Sequence, residues 1–551
     1  MTIRSTACIP AIGLLALAGL SGCGSSDDPL ARFQEQTPDW QVCAAERLGA
    51  SAAKLAQQLG ARVSCADLRA PLDYANPALG EIRLAVLRVR AGSADGDHPA
   101  ILINPGGPGL DGLPWPINLS VYWSLEQTTE DPAVVRGYQE MAQRYDLIGF
   151  SPRGTGWSTR LECPRTQEPL PVADPTRQLD PANTDKTLFN SQLIAQACQD
   201  QPLMPHIHTD ATARDMDLIR QVLHQDKLNY IGLSYGTWLG NWYASLFPQR
   251  VGRMLLSGVT DFSIPLNHQS LPQDQGRQVV LDSVLIPYAT RHPERFGLPA
   301  TALAIRQMVD ALPDPLHAAM VNTLIDGNLL SNANLADHAA LTLRAAEALH
   351  GILQTSPGID QASLLAQVVT TDFVPPTSTT LFNDMARTAA VELVNRYFKP
   401  LIQTEDMFWS VVCNDSGTGF TPETWVQQSN LNARLYPDFG GAVRDNACLY
   451  WPQPHLSRPP QHQTAQAGNI LMLQSALDPL TVLSGAMNAL YLLPNASMIV
   501  IDSEITHAPL PPYGTSCVDR PIADYFLTGK TPARTSNCQG RPLAADAGSP
   551  P

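Results

Sequence analysis

The sequence of 551 residues has few charged side chains, and positive charge is the scarcer sign. Charged residues make up 16% of the chain, and 36 Lys and Arg stand against 51 Asp and Glu, which gives a formal net charge of -15. A surface of this charge repels phosphate backbones and anionic lipid head groups, so no nucleic-acid partner is expected. The 44% of hydrophobic residues is typical of a globular protein rather than a disordered one.

Long apolar runs are missing as well. Beyond the first 23 residues, no segment reaches the roughly 20 consecutive apolar residues that a membrane-spanning helix needs. The first 23 residues combine Arg4 with a short apolar run at 9–20 and end in the sequence LSGC. This ending resembles the lipobox of bacterial lipoproteins, in which the cysteine, here Cys23, is acylated and becomes the mature N-terminus. An ordinary secretory signal that is cleaved nearby is the alternative.

The lipobox predicts where the protein goes. We expect a signal peptide at 1–23, a tether at 24–40 and an exported lipoprotein of the cell envelope. Its membrane attachment would depend on lipid at Cys23 alone. Gly24 rather than Asp follows Cys23, which resembles outer-membrane sorting. The protein would therefore face the periplasm or lie in the outer membrane if the source is Gram-negative.

Closely spaced cysteines are absent too, so a zinc knuckle is not expected. His206 and His208 lack an evident third ligand, and no metal is expected there. Apart from Cys8 in the signal and Cys23, eight cysteines remain, which suits disulfide bonds in an oxidising compartment. About 105 pairings are possible for eight cysteines, and the sequence does not choose among them. The scheme that we favour joins sequence neighbours: Cys43 with Cys65, Cys163 with Cys198, Cys413 with Cys448, and Cys517 with Cys538.

Short apolar strands and helical segments alternate over much of the chain. Between about 299 and 397 the pattern changes to a long helical stretch rich in Ala and Leu, which is typical of an inserted cap. The predicted fold is α/β, with a mostly parallel central sheet flanked by helices and a mainly helical cap domain. The predicted strands lie at 82–89, 100–104, 145–149, 228–232, 253–259, 469–474 and 497–502. The predicted parts are a first core segment at 41–265, a helical cap and connection at 266–460, a C-terminal core segment at 461–540 and a disordered tail at 541–551.

The strongest motif is GLSYG at 232–236, a G-x-S-x-G pattern between a predicted strand and a predicted helix. In a nucleophile elbow the serine occupies a strained turn whose neighbours must be small, because larger side chains would collide with the strand and helix. The motif predicts Ser234 as a nucleophile in an α/β-hydrolase fold. The simpler interpretation is a strand-to-helix turn without chemistry.

A serine hydroxyl is a weak nucleophile until a base removes its proton, and an acid must hold that base in one tautomer. In this fold the acid and then the histidine follow the serine, each after a late strand. Asp478 follows the strand at 469–474, and His507 follows the strand at 497–502. These positions predict a catalytic triad of Ser234, Asp478 and His507.

Other residues compete for the two roles. The rival acids Asp502 and Glu504 precede His507 by only five and three residues, so they reach its far nitrogen less easily than Asp478 does. Rival histidines all precede the last two strands: His206, His208, His455 and His462.

A loop nearly free of side chains follows the strand at 100–104 and reads NPGGPG at 104–109. Glycines let the backbone approach a substrate, so this loop predicts an oxyanion hole. We assign its donors as the N–H of Gly107 and the N–H of Tyr235, the residue after the nucleophile. Phosphate binding is the weaker interpretation, because the chain has no G-x-x-x-x-G-K-[ST] motif.

Taken together, these residues resemble the tripeptidyl aminopeptidase family of exported α/β-hydrolases, which are relatives of proline iminopeptidase. The resemblance covers most of the mature chain and is weakest in the cap, roughly 265–405. It departs from the family at Ser151, where Asp is usual, and at Thr506 and Ala508, where Gly is usual on both sides of the histidine. Its landmarks are VSC at 63–65, PLDY at 71–74, NPGGPG at 104–109, RGTGWS at 153–158, the segment 228–236, CND at 413–415, Cys448 with WP at 451–452, Asp478, His507, and the run from Cys517 through Tyr525, Gly529 and Pro532 to Cys538.

The resemblance implies a serine peptidase that cleaves short peptides, such as tripeptides, from free N-termini through an acyl-enzyme on Ser234. Recognition of the substrate ammonium group calls for a partly buried carboxylate near the site. Asp415 is the candidate for this group, and Glu392 and Asp384 are alternatives.

Two other functions stay open at this stage. An esterase or lipase-like hydrolase uses the same triad and oxyanion hole, and the fold does not determine the substrate. A non-catalytic surface lipoprotein would keep the fold as a binding module. No cofactor or metal is implied by any of the three.

Overall fold

The computed structural model describes residues 28–93, 96, 98–124, 131–174, 176–399, 406–441, 446–452 and 456–547. The predicted signal peptide and the lipidation site at Cys23 lie outside these residues.

One sheet organises the described part of the chain. Its strand order is β1-β2-β4-β3-β5-β6-β7-β8-β9, and every neighbouring pair from β4 to β9 is parallel. The pairs β1–β2 and β2–β4 are antiparallel. The nine strands are β1 (Val63–Pro71), β2 (Glu81–Val89), β3 (Ala100–Asn104), β4 (Asp146–Phe150), β5 (Leu228–Leu233), β6 (Val251–Ser257), β7 (Ile470–Ser475), β8 (Ala496–Asp502) and β9 (Thr535–Gln539).

Helices flank the sheet and form a separate cap. The helices before the cap are α1 (Ala31–Gln34), α2 (Gly49–Leu59), α3 (Trp115–Ser124), α4 (Pro132–Arg144), α5 (Pro181–Gln199), α6 (Thr209–Val222) and α7 (Tyr235–Leu246). Those of the cap and its connection are α8 (Leu271–Val280), α9 (Ile286–Arg291), α10 (Pro293–Phe296), α11 (Ala302–Asp310), α12 (Asp314–Asp326), α13 (Ala336–Thr355), α14 (Gln361–Val368), α15 (Thr380–Phe398), α16 (Asp406–Asp415) and α17 (Pro422–Leu435). The last two are α18 (Leu483–Leu492) and α19 (Ser516–Thr528).

The central strands are apolar on both faces because helices cover both sides of the sheet. Successive residues of a strand point to opposite faces. Leu102 and Met472 accordingly belong to the cluster that packs under α5, α6, α7 and α18. Ile101, Ile103 and Leu471 belong to the cluster on the other side, under α2, α3, α4 and α19. The predicted α/β fold with a mostly parallel sheet is confirmed.

The seven predicted strands are present, with ends that differ by at most two residues. The edge strands β1 and β9 were not predicted. In β1, exposed Asp67 and Arg69 alternate with buried Leu68 and Ala70, so this strand has a period-2 pattern that sequence reasoning missed. In β9, Cys538 is the buried residue among exposed or half-buried polar neighbours. β9 therefore depends on pairing with its neighbour rather than on apolar periodicity.

The cap has a hydrophobic core of its own, formed mainly by α8 to α15. Beyond the cap, α16 turns back to the sheet, and its residues Val411, Val412 and Cys413 join the core cluster under α7. The predicted segment 266–460 is therefore divided in the structure between a true cap and a connection that packs on the core.

The predicted tether at 24–40 is packed where the structure describes it. Phe33 on α1 is fully buried in the core, and Trp40 packs against the same cluster. The backbone of Gln41 pairs with that of Cys65 on β1. A large aromatic side chain at position 33 gives this segment apolar area to bury, which a flexible tether would lack.

The predicted disordered tail is ordered over 541–547. Leu543 and Ala545 pack against the cap cluster. Asp546 forms an ion pair with Arg291 at 2.5 Å, and the N–H of Ala545 donates to the hydroxyl of Tyr288 at 3.0 Å. The prediction of disorder is wrong for these residues, because apolar and charged partners on α9 hold them.

The eight cysteines form four disulfides, and each joins the sequence neighbours that the favoured scheme paired. Among the described residues, no helix is long and apolar enough to cross a membrane.

Candidate active site

Ser234 occupies the turn between β5 and α7, as the motif predicts. Its backbone has φ 55 and ψ -121, a region that costs a residue with a side chain about 1–3 kcal/mol. Gly232 and Gly236 lie where there is no room for a larger side chain. A β-carbon on Gly232 would lie 2.4 Å from the carbonyl oxygen of Gly236, and one on Gly236 would lie 2.8 Å from that of Asn104. The sequence therefore forms a strained elbow that only small neighbours allow.

His507 and Asp478 form a hydrogen-bonded pair. Nδ1 of His507 lies 3.0 Å and 2.9 Å from the two carboxylate oxygens of Asp478, which is buried. The carboxylate also accepts from the N–H groups of Leu480 and Thr481 and from the Thr481 hydroxyl at 2.9 Å. Because the carboxylate of Asp478 accepts a hydrogen bond from Nδ1–H, this arrangement leaves Nε2 of His507 as an acceptor.

The rival acids are engaged elsewhere. Asp502 accepts from the side-chain amide of Asn537 at 3.0 Å. Glu504 accepts from the hydroxyl of Tyr513 and from residues of its own loop. Asp478 is the acid that contacts His507 in this geometry.

Of the two early histidines, His208 has a structural role. Nδ1 of His208 accepts from the N–H of Ala211 at 3.0 Å and caps α6. Burial, with the nearby Arg153 cation, lowers the pKa of His208 to about 3, so this side chain is neutral. Of the two later rivals, His455 lies outside the described residues, and His462 precedes β7.

Two hydrogen bonds tie the histidine loop to the nucleophile elbow through Ser257 at the end of β6. The N–H of Ser234 donates to the carbonyl oxygen of Ser257 at 2.9 Å. The hydroxyl of Ser257 donates to the carbonyl oxygen of Pro509 at 2.8 Å. Pro509 is two residues after His507, so the loop with the base lies beside the turn with the nucleophile.

The glycine-rich loop packs directly on the elbow. A β-carbon on Gly106 would lie 2.5 Å from the carbonyl oxygen of Leu233 and 3.1 Å from the backbone nitrogen of Tyr235. Oδ1 of Asn104 accepts from the N–H of Gly106 at 3.0 Å and holds the loop in this position. The loop thus lies next to the N–H of Tyr235, while the donor role of Gly107 stays a prediction.

Asp415 is fully enclosed beneath α7. One carboxylate oxygen accepts from the N–H of Thr209 at 2.8 Å, and the other accepts from the Thr209 hydroxyl and from Nε1 of Trp238. Burial raises the pKa of Asp415 to about 7. With both oxygens occupied by buried donors, the geometry favours a structural role over direct contact with a substrate ammonium group, and that predicted contact stays a prediction.

The alternative carboxylates lie on α15 in the cap and have arginine partners. Asp384 pairs with Arg387 at 2.8 Å, and Glu392 pairs with Arg396 at 2.6 Å. Both acids are well exposed to solvent, as surface pairs on one helix face are.

The unusual Ser151 has a carboxylate next to it. Its hydroxyl donates to Oδ1 of Asp111 at 2.8 Å and accepts from the N–H of Trp157 at 3.2 Å. Asp111 thus supplies a negative charge beside the position where the family usually has one. The other two departures flank the base: Ala508 has a positive φ of 46, and Thr506 bonds to Glu504 and to the cap.

Sequence reasoning missed two supports of the site. Thr481 bonds to the carboxylate of Asp478, and the side chain of Asn104 bonds to Gly106. Both are local signals, since hydroxyl and amide side chains bond to groups two or three residues away in turns. The D-x-x-T spacing and the N-x-G spacing carry this information.

Comparison with known proteins agrees with the fold. A family described as the alpha/beta hydrolase fold matches residues 99–287, and one described as TAP-like protein matches residues 436–538. The chain is 27% identical to the tripeptidyl aminopeptidase of Streptomyces lividans over 91% of this chain and 86% of that protein. The chain has the α/β-hydrolase fold and is similar to tripeptidyl aminopeptidases over most of its length.

Two other relatives are named for different activities. Carboxylesterase B of Mycobacterium tuberculosis is 29% identical over 96% of both chains. Serine protease Hip1 of the same species is 25% identical over 86% of this chain and 87% of that protein. The match to the alpha/beta hydrolase fold, together with the aminopeptidase and serine protease relatives, supports the conclusion that the chain is a hydrolase.

A substitution at Gly258, the residue after β6, tests how closely the loop with His507 packs on the end of that strand. It has φ 63, and a β-carbon there would lie 2.6 Å from that of Ala508. We expect Gly258→Ala to lower the free energy of unfolding by about 2 kcal/mol or more, from overpacking and a strained backbone. Gly351→Ala on α13 is the matched control, because nothing lies within 4 Å of its added β-carbon. The control should gain up to about 1 kcal/mol of helix propensity. Equal denaturation midpoints for the two variants would contradict the packing described here.

Asp415 should make stability depend on pH. Its folded-state pKa of about 7 exceeds the value of about 3.9 for an unfolded chain, so stability is lost as pH rises from about 4 to about 7. Relative to Asp415→Asn, the wild type should lose at least about 1 kcal/mol over this interval. Urea unfolding at both ends of the interval measures it. The exposed Asp384→Asn is the control and should follow the wild type; if Asp415→Asn follows it too, Asp415 does not hold a proton in the folded state.

Proposed function

We propose that this hydrolase is a serine peptidase that releases short peptides, such as tripeptides, from free N-termini through an acyl-enzyme on Ser234. The observation that carries the proposal is the bonded pair of His507 and Asp478, whose loop is tied through Ser257 to the elbow of Ser234. Together these groups supply the nucleophile, the base and the acid that acyl transfer requires.

In the acylation step, Oγ of Ser234 attacks the carbonyl carbon of the scissile bond while Nε2 of His507 takes its proton. Asp478 stabilises the imidazolium that forms, because its carboxylate holds Nδ1–H. The charge that develops on the carbonyl oxygen is met by the N–H groups of Gly107 and Tyr235. One such donor is worth about 3–4 kcal/mol of transition-state stabilisation in other serine hydrolases.

When the tetrahedral intermediate collapses, the C–N bond breaks and His507 gives its proton to the leaving amine. Water then attacks the ester on Ser234, and His507 removes a proton from that water. Collapse of the second intermediate breaks the ester bond, returns the proton to Oγ and releases the peptide acid.

The names of the relatives support a peptide substrate. The Streptomyces lividans relative is a tripeptidyl aminopeptidase, and a second relative is a serine protease. An ester substrate is the second candidate, since Carboxylesterase B covers 96% of both chains. Asp415 is enclosed, so no residue is assigned as the partner of a substrate ammonium group. An ester substrate needs no such partner.

A matched substrate panel tests the proposal. We expect steady-state cleavage of tripeptide anilides with a free amine, loss of cleavage when the amine is acetylated, and slower reaction with short acyl esters. Ser234→Ala should lower kcat by about 10⁴-fold or more. Ser245→Ala is the control, because this buried serine on α7, the helix that follows Ser234, bonds to the carbonyl oxygen of Asn241.

The outcomes separate the alternatives. Reaction with esters alone would replace peptidase by esterase and keep the triad. Full activity of Ser234→Ala, or no cleavage of any substrate by the wild type, would overturn the proposed mechanism and favour a non-catalytic binding protein.

We also propose that the chain is exported and attached to a membrane through lipid on Cys23. The lipobox sequence supports this, and the four disulfides suit an oxidising compartment. When the precursor is expressed in a bacterium, the wild type should enter the detergent phase, and Cys23→Ser should not. Mass spectrometry of the N-terminal peptide identifies the acyl groups; an unmodified Cys23, or a mature chain without it, contradicts the proposal.

A further inference from the structure

The loop that carries His507 contacts the cap as well as the sheet. Ile505, two residues before the histidine, is 1% exposed and belongs to the hydrophobic cluster of the cap. Its side chain thus packs among cap residues, although its backbone follows β8. Movement of the cap would therefore move this loop.

Two backbone groups of the cap bond to the same loop. The N–H of His507 donates to the carbonyl oxygen of Ser331 at 2.8 Å. The N–H of Ala333 donates to Oγ1 of Thr506 at 3.1 Å. Ser331 and Ala333 lie in the segment 328–335 between α12 and α13, which we call the cap strap.

Thr506 also bonds to the sheet side of the site. Its hydroxyl donates to Oε1 of Glu504 at 2.6 Å, and its N–H donates to the same oxygen at 2.8 Å. Glu504 is buried, and its second oxygen accepts from the hydroxyl of Tyr513. The carbonyl oxygen of Thr506 accepts from the hydroxyl of Ser475 at the end of β7. One threonine therefore joins β7, the segment after β8 and the cap strap.

We propose that the cap strap positions His507, and that Thr506 is the positioning residue that connects them. This inference rests on the proposed function, in which His507 is the base. The Thr506 hydroxyl accepts from Ala333 and donates to Glu504, so it fixes the loop from both sides, and the strap carbonyl of Ser331 holds the histidine backbone directly. Small displacements of a base reduce proton transfer steeply, so docking of the cap strap becomes a condition for activity.

Two substitutions at position 506 isolate the hydroxyl. Thr506→Val keeps the shape and removes both hydroxyl bonds, and Thr506→Ser keeps the hydroxyl. We expect Thr506→Val to lower kcat by about 10-fold or more with KM changed less than about 3-fold, because positioning acts on the chemical step. Thr506→Ser should keep at least about half of kcat. Thr342→Val is the control, since this buried cap threonine bonds within α13 to His338.

A substitution on the cap side tests the same bond from its other end. Ala333→Pro removes the N–H donor at the first position of a short helical turn, where proline is tolerated. The preceding Asn332 has φ -150 and ψ 109, which suits a residue before proline. We expect Ala333→Pro to lower kcat about as much as Thr506→Val does. The double variant should be no slower than the slower single variant, because both substitutions remove the same bond between Ala333 and Thr506.

The measurements distinguish a variant that does not fold from a failure of the positioning role and from a failure of the proposed function. Titration of Ser234 with a fluorophosphonate counts folded active sites, so kcat is expressed per reactive serine. If Thr506→Val does not fold, Ala333→Pro carries the test alone. Unchanged kcat in the variants that fold, or losses that multiply in the double variant, would overturn the positioning role while Ser234→Ala remains inactive. Activity retained by Ser234→Ala would instead refute the proposed function itself.

Discussion

The parallel hydrogen-bond ladder from β5 to β8 is the constraint on which the candidate site depends. Parallel strands end at the same edge of the sheet, so the residues after β5, β7 and β8 meet there, although more than 200 positions separate Ser234 from Asp478 and His507. In register, Leu233 of β5 faces Ser257 of β6, which faces Leu473 of β7. A slip of one residue would turn every side chain of a strand to the opposite face and break this alignment.

Ser257 connects the ladder to two parts of the candidate site. Its carbonyl group holds the strained elbow, and its hydroxyl holds the loop after His507. The next residue, Gly258, has space for a hydrogen alone because Ala508 packs on it. The strain at Ser234 persists because the surrounding hydrogen bonds and close contacts leave the turn no alternative.

The cap contributes a second frame to the same site. It has a separate core, yet Ile505 of the histidine loop is part of that core. Because of such contacts, the position of His507 depends on both the sheet and the cap. Thr506 and Ala508, which stand where the family usually has glycine, fit this arrangement: one bonds to the cap and the other packs on β6.

Much of the fold and the candidate site could be predicted from the sequence, because several of its signals are local. The elbow is a local signal, since only glycines fit beside Ser234, and the central strands show as short apolar runs. The edge strand β9 could not be predicted, because its polar sequence forms a strand only by pairing with β8. The packing of Phe33 and of residues 543–546 likewise depends on partners that are distant in sequence.

By itself, the sequence determined the elbow, the order of acid and histidine after it, and cysteine spacings that match the four disulfides. Each of these follows from neighbouring residues or from chain order. Only the tertiary structure decided that Asp415 is enclosed and that the cap strap bonds to the histidine loop. Those contacts join residues that the chain brings together only after the cap and the sheet have packed, and no local pattern encodes such a distance.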